Sequence, residues 1–333
     1  MNTVVYKPSK ENIKICADLI RGGSTVAFPT ETVYGLGANA LDPAAVRKIY
    51  EAKGRPSDNP LIVHLADIKQ LNEVAAEIPP LAYELMSAFT PGPLTLVFKK
   101  APCIPDCVTG GLDTVAVRFP SHTVAAMLLR ECGVPVCAPS ANLSTRPSPT
   151  TAEHVLKDMN GRIPAILDGG QCDVGLESTI VDVSGGKPRL LRKGGIPAEA
   201  LFPFTGPLET VESSEKALCP GMKYKHYSPE AEVYFSAFYD GMYETIAAEY
   251  DKLTASGKKV VIICLDINAP RYGTRNVYGA GRNFEDYAHN VFAYLRRADD
   301  EKYDAVIAEG VDSAGIGSAL INRLIKSSGG KII

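Results

Sequence analysis

Ala27-Phe28-Pro29-Thr30-Glu31-Thr32-Val33-Tyr34-Gly35-Leu36-Gly37, followed by Lys53-Gly54-Arg55-Pro56-Ser57-Asp58-Asn59-Pro60-Leu61-Ile62-Val63-His64, decides how this chain is read. A short helix joins the two stretches. Asp42 can cap it, Pro43 suits its first position, Val46, Ile49 and Tyr50 form an apolar face, and Gly54 ends it. Hydroxyls, two cations, an amide and a histidine therefore converge on two loops. A small phosphate-bearing substrate calls for that set, because Arg grips phosphate oxygens with a planar fork and Lys acts as a point charge. The plainer alternative is that Lys53 and Arg55 only complement the dipole at a helix C-terminus.

Outward from this block, Ile13, Cys16, Ala17, Leu19 and Ile20 have helical spacing, and Gly22-Gly23 ends that helix. Residues 25–28, 61–65, 94–98, 114–119, 134–137, 165–168, 178–183 and 189–192 read as strands, and 123–130 as a helix. Thr150-Thr151-Ala152-Glu153 reads as a capping box. Several strands are linked by short Gly-rich turns, which predicts a twisted mixed α/β sheet. Periodicity fades from about Ile196 to Glu230, so residues 1–200 form one expected domain and 201–230 a linker. A smaller domain over 231–333 follows. Strands near 259–264 and 305–308, a helix whose apolar face is Phe284, Tyr287, Ala288, Val291, Phe292 and Leu295, and a helix over 318–327 suggest a Rossmann-like α/β unit.

Composition sets bounds on function. The chain has 333 residues, 45% hydrophobic and 22% charged, with formal net charge −3. That balance gives no global attraction to nucleic acid or anionic membrane. Residues 1–10 lack a signal-peptide core, and no apolar run reaches the roughly 20 residues needed to span a bilayer, so a cytoplasmic protein with no membrane role is expected. The eight cysteines are scattered, and Cys103/Cys107 has no second pair at zinc-ribbon spacing, so reduced, half-buried thiols and no zinc are expected.

Other loops carry chemistry. Ala138-Pro139-Ser140-Ala141-Asn142-Leu143-Ser144 leaves a buried strand with small side chains whose N–H groups can approach an anion, although an ordinary Ser/Pro turn would look the same. Arg118 ends an apolar strand, where a cation either snorkels or answers a carboxylate. Glycines bracket a turn at Asp168-Gly169-Gly170 and Gly175-Leu176-Glu177-Ser178-Thr179. His122, His154 and His289 lack metal-ligand spacing and receive no role. There is no Walker loop, no G-x-G-x-x-G opening a helix and no G-x-S-x-G elbow, which argues against NAD, flavin and serine-hydrolase readings.

Pro29 to Gly37, Lys53-Gly54-Arg55-Pro56, Asn59-Pro60-Leu61, Pro139-Ser140-Ala141-Asn142 and Glu177-Ser178-Thr179 together resemble the YrdC-like family. More narrowly they are similar to its two-domain threonylcarbamoyl-AMP synthases. The match runs in order from about residue 10 to 200, and Lys225-His226-Tyr227-Ser228-Pro229 resembles the linker of the two-domain form.

The resemblance implies that L-threonine, bicarbonate or CO2, and ATP with Mg²⁺ give threonylcarbamoyl-AMP and pyrophosphate. This nucleotidyl transfer is the first step of threonylcarbamoyl-adenosine modification of tRNA. By position it implies Thr32, His64, Arg118, Ala138 and Ser178 around threonine. Around ATP it implies Lys53, Arg55, Asn59, Thr114, Ser140, Ser148, Arg192, His226 and Tyr227. The cations suit this chemistry, with Lys53 and Arg55 as candidate catalytic groups stabilising phosphate charge, and no covalent enzyme nucleophile is needed. Metal ligands are not assigned. The product would pass to a downstream tRNA threonylcarbamoyl-transferase system, and a weak direct tRNA contact is left open. The linker is either a lid over the nucleotide or a tether.

Two readings compete. Lys187, Arg189, Arg192 and Lys193 cluster as an RNA-binding protein's would, against the net negative charge and the lack of an aromatic RNA motif. A carbamoyl-transfer relative, the hydrogenase-maturation protein with a YrdC-like domain, would carry acylphosphatase and zinc-finger regions that have no counterpart here.

Overall fold

The computed structural model describes residues 2–211, 217–220 and 226–333; Gly221 to Lys225 of the expected linker motif lie outside them. The chain divides into two compact units. One comprises Met1–Ser144, Pro149–Asp173 and Glu177–Tyr224; the other comprises Thr145–Ser148, Val174–Leu176 and Lys225–Ile333.

The first unit is built on β1 (Val4–Tyr6), β2 (Val26–Phe28), β3 (Gly35–Asn39), β4 (Ile62–His64), β5 (Leu94–Lys99), β6 (Thr114–Arg118), β7 (Val136–Ala138), β8 (Ala165–Leu167), β9 (Thr179–Asp182), β10 (Arg189–Arg192) and β11 (Glu209–Thr210). Among the described residues these form one mixed sheet in the order β1-β8-β2-β3-β7-β4-β6-β5-β9-β10-β11. Apolar residues cover both faces. In β2, Ala27 joins one core while Val26 and Phe28 join the other, as the two-residue period of a strand requires.

The helix Pro43–Lys53 forms as its ends dictate: the Asp42 side chain accepts from Ala44 N–H, Pro43 opens it, and Gly54 closes it at φ 60°. Lys53 is thus its last helical residue. Its spacing from the strands matters more than its length, because Val46 and Ile49 are fully buried against the sheet.

Three local expectations change. The stretch after Pro29 is not all loop, because Gly35–Asn39 forms β3, antiparallel to both β2 and β7. A Cβ on Gly37 would lie 2.8 Å from Phe28 Cε1 and from Val136 Cγ1, so the glycine lets three strands close up where a side chain could not fit. The expected linker, 201–230, is not structureless at its start: β11 lies within it, and the helix Ala198–Thr205 runs into it. Pro197 and Pro203 mask its periodicity, yet Leu201 is fully buried. The helix Ala152–Met159 is capped by Thr151, which accepts from His154 N–H, so Glu153 does not fill the expected capping-box position.

In the second unit, β12 (Glu232–Ser236), β13 (Val260–Cys264), β14 (Val277–Gly279) and β15 (Ala305–Glu309) are all parallel, in the order β12-β15-β13-β14. The helix Phe284–Asp300 buries Tyr287, Ala288, Val291, Phe292 and Leu295, the face read from the spacing. All eight cysteines are free thiols; six are fully buried rather than half-buried, with Cys107 intermediate and Cys103 exposed.

Candidate functional site

In the first unit, parallel β4 and β6 pair His64 with Arg118, and antiparallel β5 sets Thr95 opposite Arg118. Strand register therefore lines up three polar side chains across neighbouring strands. The turn after β2 brings Thr32 to the same place, where its Oγ1 accepts from Arg118 Nη1 at 2.8 Å. Thr30 Oγ1 lies 2.8 Å from Thr32 Oγ1 and donates to Val33 O at 2.6 Å, which fixes the turn.

Arg118 is only 4% exposed. Its Nε donates to Gly92 O at 3.4 Å, and its Nη2 lies 2.7 Å from Glu31 Oε1. The other Glu31 oxygen accepts from Ser121 N–H at 3.1 Å. The sequence poses the question of which carboxylate Arg118 answers, and the structure supplies Glu31, which sequence reasoning passed over. Its signal was available, since a carboxylate between two threonines in a stretch flanked by apolar residues asks for a buried partner.

Ser178 precedes β9, and its Oγ lies 2.7 Å from Thr95 Oγ1 and accepts from Arg192 Nη2 at 3.0 Å. Arg192 Nε donates to Ser178 O at 3.0 Å, and its Nη1 to Pro220 O at 3.2 Å. One guanidinium thus fixes Ser178 through both backbone and side chain. Ala138 ends β7, where the chain enters the 139–144 loop. His64 Nδ1–H donates to Ile62 O at 3.0 Å, and its ring meets Phe28 edge-on. Burial, then the Arg118 charge, pushes the imidazole down to about 3, so it is neutral at ordinary pH.

Lys53 is 3% exposed, and its Nζ donates to Ser140 O and to Asn142 O, the latter at 2.6 Å. Ser140 Oγ donates to Asn142 Oδ1, and Ser144 N–H donates to Lys53 O at 2.9 Å. The helix C-terminus and the small-residue loop are in this way laced together around one ammonium group. Arg55 turns toward its own loop, with Nη2 3.0 Å from Pro60 O and 3.3 Å from Asn59 O. Asn59 is 1% exposed, and its Oδ1 has no hydrogen-bond partner among the described residues.

The sheet separates the predicted residues along its strands. Thr114 opens β6 and Arg118 closes it, about 13 Å apart at the rise of a strand. Asn59 stands just before β4, and His64 ends it. Thr32, His64, Arg118 and Ser178 gather at one end, while Asn59 and Thr114 stand at the other. Ser148, His226 and Tyr227 belong to the second unit. There Tyr227 is 5% exposed at φ 63°, with its ring 5.5 Å from that of His226.

Among the described residues no group of three or more His, Cys, Asp or Glu side chains is arranged to hold a metal ion, and no helix is long and apolar enough to cross a membrane.

A profile of the Sua5/YciO/YrdC family, described as telomere recombination, matches residues 18–194; one described as the threonylcarbamoyl-AMP synthase C-terminal domain matches 196–329. The threonylcarbamoyl-AMP synthase of Pyrococcus abyssi is 47% identical over 330 residues, covering 96% of this chain and 95% of that protein. That of Bacillus subtilis is 46% identical over 327 residues, covering 95% and 93%. A crystal structure of P. abyssi Sua5 complexed with L-threonine matches with a TM-score of 0.95 at 45% identity, covering 99% of both chains.

Proposed function

On the premise that this chain belongs to the Sua5/YciO/YrdC family and has the two-domain form of the threonylcarbamoyl-AMP synthases, we propose that it joins L-threonine, bicarbonate or CO2, and ATP into threonylcarbamoyl-AMP, releasing pyrophosphate. The observation that carries this reading is the buried Arg118 guanidinium, held between Thr32 and Glu31 at the head of paired strands. A buried cation beside hydroxyls is what a small hydroxylated amino acid needs: Arg118 for the carboxylate, Thr32 and neutral His64 for the hydroxyl. A site whose buried polar groups need that hydroxyl would discriminate against analogues lacking it. Ala138 and Ser178 complete the threonine side.

The chemistry is balanced without an enzyme nucleophile. The threonine amine adds to CO2 and loses a proton, giving a carbamate. A carbamate oxygen attacks the α-phosphorus, and the bond to pyrophosphate breaks. The residues needed are those that position and neutralise. Lys53, Arg55 and Arg192 supply positive charge for the phosphates; Asn59, Thr114, Ser140, Ser148, His226 and Tyr227 complete the nucleotide's surroundings. The buried Asn59 Oδ1 offers an acceptor to the base or sugar. Mg²⁺ would accompany ATP and offset the charge of its phosphates.

In this reading the linker segment around His226 and Tyr227 closes over the nucleotide and keeps water from a labile mixed anhydride. The enzyme works in the cytoplasm and hands its product to a tRNA threonylcarbamoyl-transferase system, with at most weak tRNA contact of its own. The test is pyrophosphate release under omission of each substrate. Release that requires threonine, bicarbonate and ATP together is the expected result, and release indifferent to threonine would overturn it.

A further inference from the structure

Phe292, Arg296 and Asp299 fall at i, i+4 and i+7 of the helix Phe284–Asp300 and so share one face. Each holds a segment from elsewhere in the second unit. Phe292 stacks on Tyr227, ring centroids 5.2 Å apart at 25°. Arg296, 4% exposed, donates from Nη2 to Pro147 O at 2.6 Å. Asp299 Oδ1 accepts the backbone N–H groups of Glu230 and Ala231 at 2.8 and 3.0 Å. We infer that this helix face is a clamp that positions Ser148, His226 and Tyr227 for the nucleotide, with Arg296 as its central positioning residue. The inference rests on reading those three as ATP residues.

The geometry suits positioning better than simple packing. A helix seeking only burial has no use for a guanidinium at a nearly inaccessible position, because burying a charge is costly. Here the guanidinium donates to Pro147 O, and that carbonyl is well chosen. Pro147 and Pro149 bracket Ser148, fixing φ on both sides and keeping Ser148 extended. One charge-assisted bond to Pro147 O therefore orients the whole stiff triplet, Ser148 included.

The two clamped segments are also joined to each other. Ser228 N–H donates to Thr145 O at 2.9 Å, and Arg146 pairs with Glu230. Thr145 and Tyr227 both have left-handed backbones, at φ 77° and 63°, which a β-branched and an aromatic residue adopt only when their surroundings hold them there. Arg323 lies over the Tyr227 ring, 5.2 Å from its centroid. The 145–148 segment follows directly in the chain on the 139–144 loop that surrounds Lys53.

The test compares Arg296→Lys, Phe292→Leu and Ser148→Ala in the full chain. ATP affinity is measured by calorimetry with Mg²⁺, and KM for ATP and for threonine by pyrophosphate release. Arg296→Lys and Phe292→Leu should each weaken ATP roughly tenfold or more, since small misplacements of a binding group have large effects, while threonine KM stays within about twofold. A merely structural role would lower the active fraction and leave KM for ATP unmoved. ATP affinity held within twofold in both variants, with Ser148→Ala weakened, overturns the clamp and leaves the nucleotide reading standing. An unaffected Ser148→Ala refutes the nucleotide role of Ser148 and the clamp with it. If Arg296→Lys does not fold, Phe292→Leu alone decides.

Discussion

Glu31→Gln removes one charge from a buried pair while keeping the shape of the side chain. In the native protein Glu31 and Arg118 are each 4% exposed and lie 2.7 Å apart. Deleting one partner of such a pair costs about 3–5 kcal/mol, because the other charge stays buried and poorly compensated. Gln retains an acceptor for Ser121 N–H, so the low end, about 3 kcal/mol, applies. At about 2–4 °C per kcal/mol for a domain of this size, Tm should fall by roughly 6–12 °C. Threonine binding should move the other way. A substrate carboxylate on Arg118 shares one guanidinium with Glu31, and two carboxylates about 5 Å apart repel by about 3 kcal/mol at an effective dielectric near 20. Relieving that repulsion should tighten threonine by roughly a hundredfold. Thermal melts with and without threonine, and a calorimetric titration, read both effects. An unchanged Tm, or threonine bound more weakly by the variant, would refute the reasoning.

Two further perturbations follow from the same geometry. Lys53→Ala removes the ammonium that binds Ser140 O and Asn142 O, and should lower turnover by about 10²–10³-fold with threonine binding within a few-fold. Single-turnover pyrophosphate release and a threonine titration check this, and unchanged turnover contradicts it. His64 has its folded pKa depressed to about 3. The unfolded chain therefore takes up a proton below about pH 6.5 that the folded one refuses, so the stability from neutral His64 is present above that pH and is lost as pH falls toward 3. The slope is about 1.4 kcal/mol per pH unit, near 2 kcal/mol by pH 5. Urea melts at pH 7.5 and 5 should show a smaller acid loss for His64→Gln than for the native chain, and equal losses would refute the attribution.

Much of this arrangement is legible in the amino acids. Asp42, Pro43 and Gly54 mark the helix Pro43–Lys53 by local backbone chemistry, which one sequence displays in full. The face of the helix Phe284–Asp300 is visible for the same reason. What escapes depends on partners distant in the chain. Gly37 looks like a turn residue until Phe28 and Val136 close on it from two strands. Glu31 asks for a buried partner, but which cation answers it is hidden until β6 carries Arg118 there. Arg296 is a charged residue flanking the apolar face of a well-read amphipathic helix, and only the fold buries it and brings Pro147 to it. Prolines at 197 and 203 hide a helix whose stability comes from tertiary burial of Leu201.

The central claim is that this chain makes a threonine-dependent adenylate. Purified protein with ATP, Mg²⁺, L-threonine and bicarbonate should release pyrophosphate and form threonylcarbamoyl-AMP in equal amounts, and release should stop when threonine or bicarbonate is withheld. Pyrophosphate released at the same rate without threonine would contradict the account.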